Sequence, residues 1–425
     1  MEIAIIGAGF TGLTAAYKLS QKKHKVFIFE KGKSPGGIAA GFREKNWRWY
    51  LEYFYHHLFP SDEEAKKLIS ELNLSRKLFY LKPKTSIFYQ KKISQFDSPL
   101  SLLNFPFLSF KEKLQAGFAT FYLKTTKNWK KFENISAQEW LKKYYGEKPY
   151  KILWEPLLKA KFGNSAPKIS MSWFWARIKK RSQKLGYLEG GFQTLINALI
   201  KKIKENDGEI KLNRQISSLN DLNHFNKIIV TVPNSEFYKI IQKSKNFLSK
   251  DHDKIEKWAR ILKSFEMFGA LNLILVLKKQ FLTDNTYWLS INEKNFPFVA
   301  LVEHTNFIDK KHYGGNYIVY LGGYYPQNHP YFKMGKEEIF KKFLPYLQKI
   351  NPRFDFSKFT IYYLLFTAPN AQPLIPLEYS KIILPHKTPI PNVYLANMQQ
   401  IYPWDRGINY AIEEGEKIAN EIENF

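Results

Sequence analysis

The chain has 425 residues, of which 44% are hydrophobic, a proportion that predicts a globular protein large enough for two domains. It contains no cysteine, which excludes disulfides, thiolate nucleophiles, cysteine-bound metal clusters and a flavin tethered through cysteine. The formal net charge of +27 comes mostly from lysines spread along the whole chain, and this argues against a nucleic-acid partner.

The chain carries no apolar run long enough for a transmembrane helix. The longest such stretch, Phe268 to Leu277, is too short to span a bilayer. The first residues enter a strand directly, so we expect no secretory signal and a cytoplasmic location. The positive charge and the 17% aromatic residues leave open a peripheral association with the inner face of a membrane.

The N-terminal segment has the pattern of a dinucleotide-binding βαβ unit. Strands are predicted at Ile3 to Ile6 and Val26 to Phe29, with a G-x-G-x-x-G turn and a helix between them. The turn lets backbone amides approach a diphosphate at the positive end of the helix. Glu30 is placed to accept hydrogen bonds from an adenosine ribose. The predicted cofactor contacts in this unit are Gly7, Ala8, Gly9, Phe10, Thr11, Gly12, Glu30 and Lys31.

Further elements follow in chain order. Gly36 and Gly37 form a turn that would let the backbone lie against a cofactor. Helical patterns are then predicted at 62–74, 110–123, 136–145, 150–160, 170–181, 194–205, 336–349 and 407–422. Strands are predicted at 209–212, 215–219, 227–233, 271–277, 287–291, 298–302, 317–321 and 393–397.

These motifs together resemble the FAD-dependent superfamily of flavin-containing amine oxidases, protoporphyrinogen oxidases and phytoene desaturases. Three further stretches carry the resemblance: Tyr187 to Leu195, Ile228 to Pro233, and Tyr394 to Ala396 followed by Asp405 to Gly415. The resemblance implies a non-covalent FAD. It also implies further cofactor contacts at Gly36, Gly37, Ile216, Asp405, Arg406, Gly407, Ile408 and Asn409.

The predicted fold class is α/β, with a Rossmann-like FAD-binding domain of the glutathione-reductase type and an inserted α+β substrate domain. We expect the FAD-binding domain to be discontinuous and to comprise residues 1–75, 185–240 and 380–425. The substrate domain would comprise 76–184, a helical insertion, and 241–379, which contributes an antiparallel sheet.

In flavin enzymes the cofactor takes the hydride, so the protein residues mainly orient the substrate and tune its charge. His56, His57, Glu303 and His304 are the catalytic candidates because they titrate and lie in apolar surroundings. His56 and His57 each also fit a satisfied core position. Strand alternation puts Glu303 and His304 on opposite faces, so at most one of them can point into a cavity, and Glu303 also fits a carboxylate that anchors a loop. Tyr402 and Trp404 are further candidates for lining the site.

We therefore predict an FAD-dependent oxidoreductase that moves a hydride from a small hydrophobic substrate to FAD, with no metal. The first alternative is a redox-neutral flavoenzyme similar to UDP-galactopyranose mutase, acting on a sugar nucleotide. The second alternative is a protein that binds flavin or NAD without catalysis.

Overall fold

The computed structural model describes residues 1–244 and 252–424. Residues 245–251 and 425, which the predicted segments 241–379 and 380–425 include, lie outside the described residues. The strands are β1 Glu2–Ile6, β2 Lys25–Phe29, β3 Gly41–Phe42, β4 Leu51–Glu52, β5 Leu78–Leu81, β6 Lys84–Tyr89, β7 Lys92–Gln95, β8 Leu185–Leu188, β9 Glu209–Lys211, β10 Lys227–Val230, β11 Met267–Leu277, β12 Thr286–Ile291, β13 Ala300–Glu303, β14 Tyr317–Pro326, β15 Thr360–Pro373 and β16 Val393–Leu395. The helices are α1 Phe10–Gln21, α2 Glu63–Glu71, α3 Pro99–Leu103, α4 Phe110–Thr125, α5 Ala137–Tyr145, α6 Glu147–Pro149, α7 Glu155–Phe162, α8 Met171–Lys180, α9 Gln193–Glu205, α10 Asn234–Gln242, α11 His252–Ser264, α12 Lys336–Ile350, α13 Phe356–Phe359 and α14 Ile408–Glu423.

A five-stranded parallel sheet positions the predicted nucleotide motifs. Its strand order is β16-β10-β1-β2-β9, so strands distant in sequence lie side by side. The carboxyl ends of parallel strands meet at one edge, and that edge is where α/β sheets bind nucleotides. Helix α14 packs along α1, and Gly415 makes this possible because a Cβ there would lie 2.5 Å from the Thr11 carbonyl oxygen.

A seven-stranded sheet forms the second layer of the molecule. Its order is β15-β11-β14-β13-β12-β6-β7, and all pairs are antiparallel except the parallel pair β12–β6. Strands β6 and β7 come from the predicted segment 76–184, and the other strands come from 241–379. The two inserted segments therefore share one sheet.

Most predicted elements occur, and the exceptions have physical reasons. The segment 76–184, which was predicted as a helical insertion, holds strands β5, β6 and β7 before its helices. These strands were not predicted because short strands with mixed polar residues lack a clear period. The strand predicted at Gln215 to Leu219 is wrong: this stretch is irregular up to Ser218, and a short 3₁₀ helix begins at Leu219. Strand β15 was not predicted, since its two prolines argue against a strand.

Candidate functional site

The glycine-rich turn lies between β1 and α1 and leaves the helix start open. Gly9 is the N-cap of α1, and no side chain caps this end. A Cβ on Gly9 would meet nothing within 4 Å, whereas a Cβ on Gly12 would lie 2.1 Å from the Gly7 carbonyl oxygen. Gly12 therefore permits close packing within the protein, while Gly9 faces open space in front of the free helix amides.

Glu30 is fixed at the end of β2 by backbone donors. Its carboxylate accepts hydrogen bonds from Ala8 N at 2.9 Å and Gly32 N at 2.7 Å. The backbone amide of Arg214 donates to the Glu30 carbonyl oxygen at 2.8 Å, which brings the segment containing the buried Ile216 to the same edge of the sheet. The carboxylate retains unused lone pairs for a ligand hydroxyl.

The paired glycines lie directly against the glycine-rich turn. Gly36 has a φ of +115°, which favours glycine, and its amide donates to the Ala8 carbonyl oxygen at 2.7 Å. A Cβ on Gly37 would lie 3.4 Å from the Gly9 Cα. Of the other predicted contacts in this unit, Phe10 and Thr11 are buried in the first turn of α1 and Lys31 is exposed.

The second open helix start belongs to α14. Its N-cap, Gly407, has no side-chain cap, and a Cβ there would meet nothing within 4 Å. The side chains of Ile408 and Asn409 are both buried, and the Asn409 amide oxygen accepts from Ala65 N at 3.0 Å. The free backbone amides are therefore what this end offers to a ligand. Two open helix starts and one anchored carboxylate fit the diphosphate, ribose and flavin ring of an FAD.

A small cavity of about 40 Å³ lies between these glycine segments and the seven-stranded sheet. Ile38, which follows the paired glycines, and Arg406, which precedes Gly407, both line it. The cavity therefore adjoins two of the segments that the sequence assigns to the cofactor. The remaining lining residues are Phe54, Tyr55, His56, Ala270, Leu271, Asn272, Gly322, Gly323, Tyr324, Ala368 and Ala371.

His56 is the predicted catalytic residue that reaches this cavity. Its Nδ1 lies 2.5 Å from the Phe54 carbonyl oxygen. A carbonyl only accepts, so Nδ1 carries the proton and Nε2 is left with a free lone pair. Burial, and to a lesser degree the charge of Arg406, lowers the pKa of His56 to about 4, so the ring is neutral at physiological pH.

His57 does not line the cavity. Its ring packs edge-on against Phe59 and Trp288, and its buried Nδ1 has no hydrogen-bond partner among the described residues. Burial lowers the pKa of His57 to about 3.

Glu303 and His304 also lie away from the cavity lining. The Glu303 carboxylate accepts from the backbone amides of Phe281 and Leu282, and burial raises its pKa to about 7. His304 Nε2 lies 2.7 Å from the Tyr313 hydroxyl, and burial lowers its pKa to about 3. Both residues hydrogen-bond to neighbouring segments beside the sheet, and for Glu303 this is the loop-anchoring role that the sequence also allowed.

Asp405, which the sequence assigns to the cofactor, is the centre of a partly buried ion cluster whose partners Lys161 and Arg177 the sequence patterns did not reveal. Its carboxylate accepts from Lys161 Nζ at 3.4 Å, Arg177 Nη1 at 3.0 Å and Trp173 Nε1 at 3.1 Å. Burial raises the pKa of Asp405, but the charges of Lys161 and Arg177 outweigh it and hold the pKa below the ordinary range. Burial lowers the pKa of Lys161 despite Asp405.

Arg406 points from the same segment to the cavity. Its Nη2 donates to the Tyr324 hydroxyl at 2.8 Å, while its buried Nε has no partner among the described residues. Tyr324 also lies beside Lys161, whose Nζ is 5.3 Å from the ring centroid. The side chains around the Asp405 carboxylate thus include three cations, Lys161, Arg177 and Arg406. Their positive charge exceeds that of the carboxylate and is available to an anionic ligand group.

Tyr402 and Trp404 serve packing and hydrogen bonding instead. The Tyr402 hydroxyl lies 2.7 Å from the Ser172 hydroxyl, and Trp404 stacks on Trp175. Within residues 1–244 and 252–424 no group of three His, Asp or Glu is placed to hold a metal ion. Among the helices of the same residues, none has the length and apolarity needed to cross a bilayer.

The family model described as flavin containing amine oxidoreductase matches residues 10–423. The match confirms the resemblance, the flavin cofactor and the oxidoreductase class predicted from the sequence. Among curated proteins, a 15-cis-phytoene desaturase from Glycine max is 27% identical over 245 residues, which are 52% of this chain and 42% of the relative. One from Synechococcus elongatus is 28% identical, over 34% of this chain and 33% of the relative. The chain thus matches less than half the length of either relative.

Solved structures match over nearly the whole chain. A putative protoporphyrinogen oxidase from Exiguobacterium has a TM-score of 0.74 at 16% identity, covering 99% of this chain and 98% of that one. A reduced UDP-galactopyranose mutase also has a TM-score of 0.74, at 12% identity, covering 100% of this chain and 94% of that one. At these identities the likeness concerns the fold, and it confirms the predicted fold class.

Proposed function

Because the chain belongs to the flavin-containing amine oxidoreductase family, we propose that it oxidises a largely hydrophobic organic substrate whose reacting end enters the small cavity beside Ile38 and Arg406. The observation that carries this proposal is the position of the cavity, which touches segments adjoining both the paired glycines and the start of α14. Its lining is mainly aromatic and aliphatic, as an apolar substrate requires.

The cofactor contacts in this proposal are those predicted from the sequence, with the backbone doing most of the binding. The amides behind Gly9 would hold the diphosphate, Glu30 the ribose, and the amides behind Gly407 the flavin ring. When bound, FAD supplies the hydride acceptor. The partial positive charge at the start of α14 would stabilise negative charge on a group bound there.

His56 is the proposed general base. Because Nδ1–H is engaged by the Phe54 carbonyl, Nε2 is the atom that accepts the proton released as the substrate is oxidised. Arg406, held by Tyr324, would orient the polar end of the substrate through its guanidinium group, since this residue lines the cavity.

The test is anaerobic mixing of the purified flavoprotein with a panel of amines, a porphyrinogen and a polyene, followed by visible absorbance. We expect one class to bleach the flavin, and H56Q to slow bleaching by roughly 10²-fold or more. H224Q, an exposed histidine, is the control and should retain the wild-type rate. Bleaching at an unchanged rate in H56Q would refute the role of His56.

A second candidate function is redox-neutral catalysis on a sugar nucleotide. The specific observation that favours it is the excess of cations around Asp405, namely the buried Lys161 and the partly exposed Arg177 and Arg406. A sugar diphosphate carries the negative charge to balance them. Activity that appears only after reduction of the flavin by dithionite would favour this candidate over substrate oxidation.

The proposed setting is the cytoplasm, at the inner face of a membrane, where a hydrophobic substrate partitions. The support for this part is the exposed aromatic surface of α4 together with the net charge of +27.

A further inference from the structure

Helix α4 presents its largest apolar side chains to solvent. Phe110, Phe118 and Phe121 are 68%, 72% and 67% exposed, and Leu114 is 41% exposed. Their spacing of four, four and three residues places them in one stripe along the helix. A stripe of this kind normally faces a protein core.

The side of α4 that faces the protein carries mainly small residues. Ala116, Ala119 and Leu123 are its buried positions, and they pack towards α5 and α8. The usual distribution is therefore reversed, with phenylalanine in water and alanine in the core. The packing of the helix does not account for these three aromatic rings.

Helix α3 extends the same surface. Leu100 and Leu103 are 66% and 45% exposed, and Lys113 Nζ of α4 donates to the Leu103 carbonyl oxygen at 2.7 Å. We call the combined surface the apolar face; its residues are Leu100, Leu103, Phe110, Leu114, Phe118 and Phe121. Contiguous apolar surfaces of this kind mark interaction sites on soluble proteins.

The charges around the apolar face decide which partner it suits. Residues 110–131 contain six lysines and a single acid, Glu112. The Glu112 carboxylate accepts from Ser109 N at the start of α4, while Lys111, Lys127, Lys130 and Lys131 are exposed. A second copy of the chain would bring two such basic surfaces together, which is unfavourable. An anionic lipid surface offers both phosphate groups for the lysines and an acyl boundary for the rings.

We propose that the apolar face docks this protein on anionic bilayers, with the three phenylalanines entering the interface and the surrounding lysines contacting lipid phosphates. Helix α8, against which α4 packs, carries Trp173 and Arg177 of the ion cluster at Asp405. Docking would therefore hold the substrate side of the protein close to the lipid. The inference does not depend on the reaction that the protein catalyses.

The test is flotation of the flavin-loaded protein with vesicles of phosphatidylcholine alone or mixed with phosphatidylglycerol, at physiological salt. We expect co-flotation with the mixed vesicles and weaker binding to phosphatidylcholine. The double substitution F118S/F121S should lower the partition coefficient at least about tenfold, because two large apolar rings no longer enter the interface. Both positions are exposed, so folding and flavin content should not change.

The matched control is L212S/I361S, which removes two apolar side chains, 37% and 41% exposed, outside the apolar face. This variant should float like the wild type. Three results would overturn the proposal: wild-type protein that stays in the soluble fraction, F118S/F121S that floats unchanged, or a dimer in solution that F118S/F121S dissociates. Flavin bleaching is measured on the same samples. Because flotation reports on docking and bleaching reports on the proposed reaction, a failure of one can be told from a failure of the other.

Discussion

The ammonium nitrogen of Lys161 lies 3.4 Å from a carboxylate oxygen of Asp405, and this pair joins the end of α7 to the segment before α14. Lys161 is only 4% exposed, and Arg177 lies 3.0 Å from the same oxygen. The carboxylate thus neutralises one buried cation and one partly exposed cation beside the proposed substrate cavity.

We expect D405N to lower the free energy of unfolding by roughly 3 kcal/mol, because both cations lose their anion. K161M should lower the free energy of unfolding by less, since Asp405 keeps Arg177 and Trp173 as partners. Urea unfolding of the two variants and the wild type measures the difference. An equal or smaller loss in D405N than in K161M would show that the carboxylate does not hold this cluster together.

Two glycines of the same turn should respond differently to alanine. In G9A the added Cβ meets nothing in the protein, so the variant should fold normally but lose flavin, because the methyl group fills the space in front of the helix amides. In G12A the Cβ would lie 2.1 Å from the Gly7 carbonyl oxygen, so folding itself should suffer. Thermal unfolding and visible absorbance of both variants separate the effects. Full flavin content in G9A contradicts the proposed diphosphate position.

Glu30 should govern cofactor affinity through the geometry of its turn. E30Q places an amide donor against one of the two backbone amides that the carboxylate accepts from, Ala8 N and Gly32 N. Since hydrogen bonds to a charged group contribute about 1.5–3 kcal/mol, we expect FAD affinity to fall by about 10- to 100-fold. Flavin fluorescence titration measures this, with the half-exposed Glu2 changed in E2Q as a control. Equal affinity of E30Q and E2Q for FAD would show that Glu30 does not contribute to cofactor binding.

Glu52 should make stability depend on pH. It is buried, accepts from Phe192 N and from the Tyr187 hydroxyl, and burial raises its pKa to about 7 from an ordinary 4.5. Between pH 4.5 and about pH 7 the folded protein keeps a proton on Glu52 that the unfolded chain has released. The contribution of Glu52 to the free energy of unfolding therefore falls as the pH rises through this range. E52Q, which stays neutral, should therefore gain stability relative to the wild type between about pH 5 and about pH 8. Urea unfolding across that range checks this; E337Q, at an exposed site, should follow the wild type.

The parts of the fold that the sequence predicted are those with local patterns. The βαβ unit, the paired glycines and the final helix each combine a short motif with helical or strand periodicity, so their elements occur nearly where expected. The position of Glu30 relative to Ala8 follows from the same unit, because β1 and β2 are adjacent parallel strands.

Long-range contacts escaped prediction because no local pattern encodes them. Lys161 and Asp405 are 244 residues apart, and only the packing of α7 near the C-terminal segment brings them together. Glu303 showed the opposite difficulty: strand alternation limits which way it points, but not whether a cavity lies on that side. Its two backbone donors, Phe281 N and Leu282 N, come from a loop whose path the sequence does not reveal.

The most direct measurement of the central claim is titration of flavin-free protein with FAD, followed by visible absorbance and flavin fluorescence, in parallel with G9A. We predict saturable binding of one FAD per chain by the wild type and little or none by G9A. A folded wild-type protein that is isolated colourless and takes up no FAD would contradict the account.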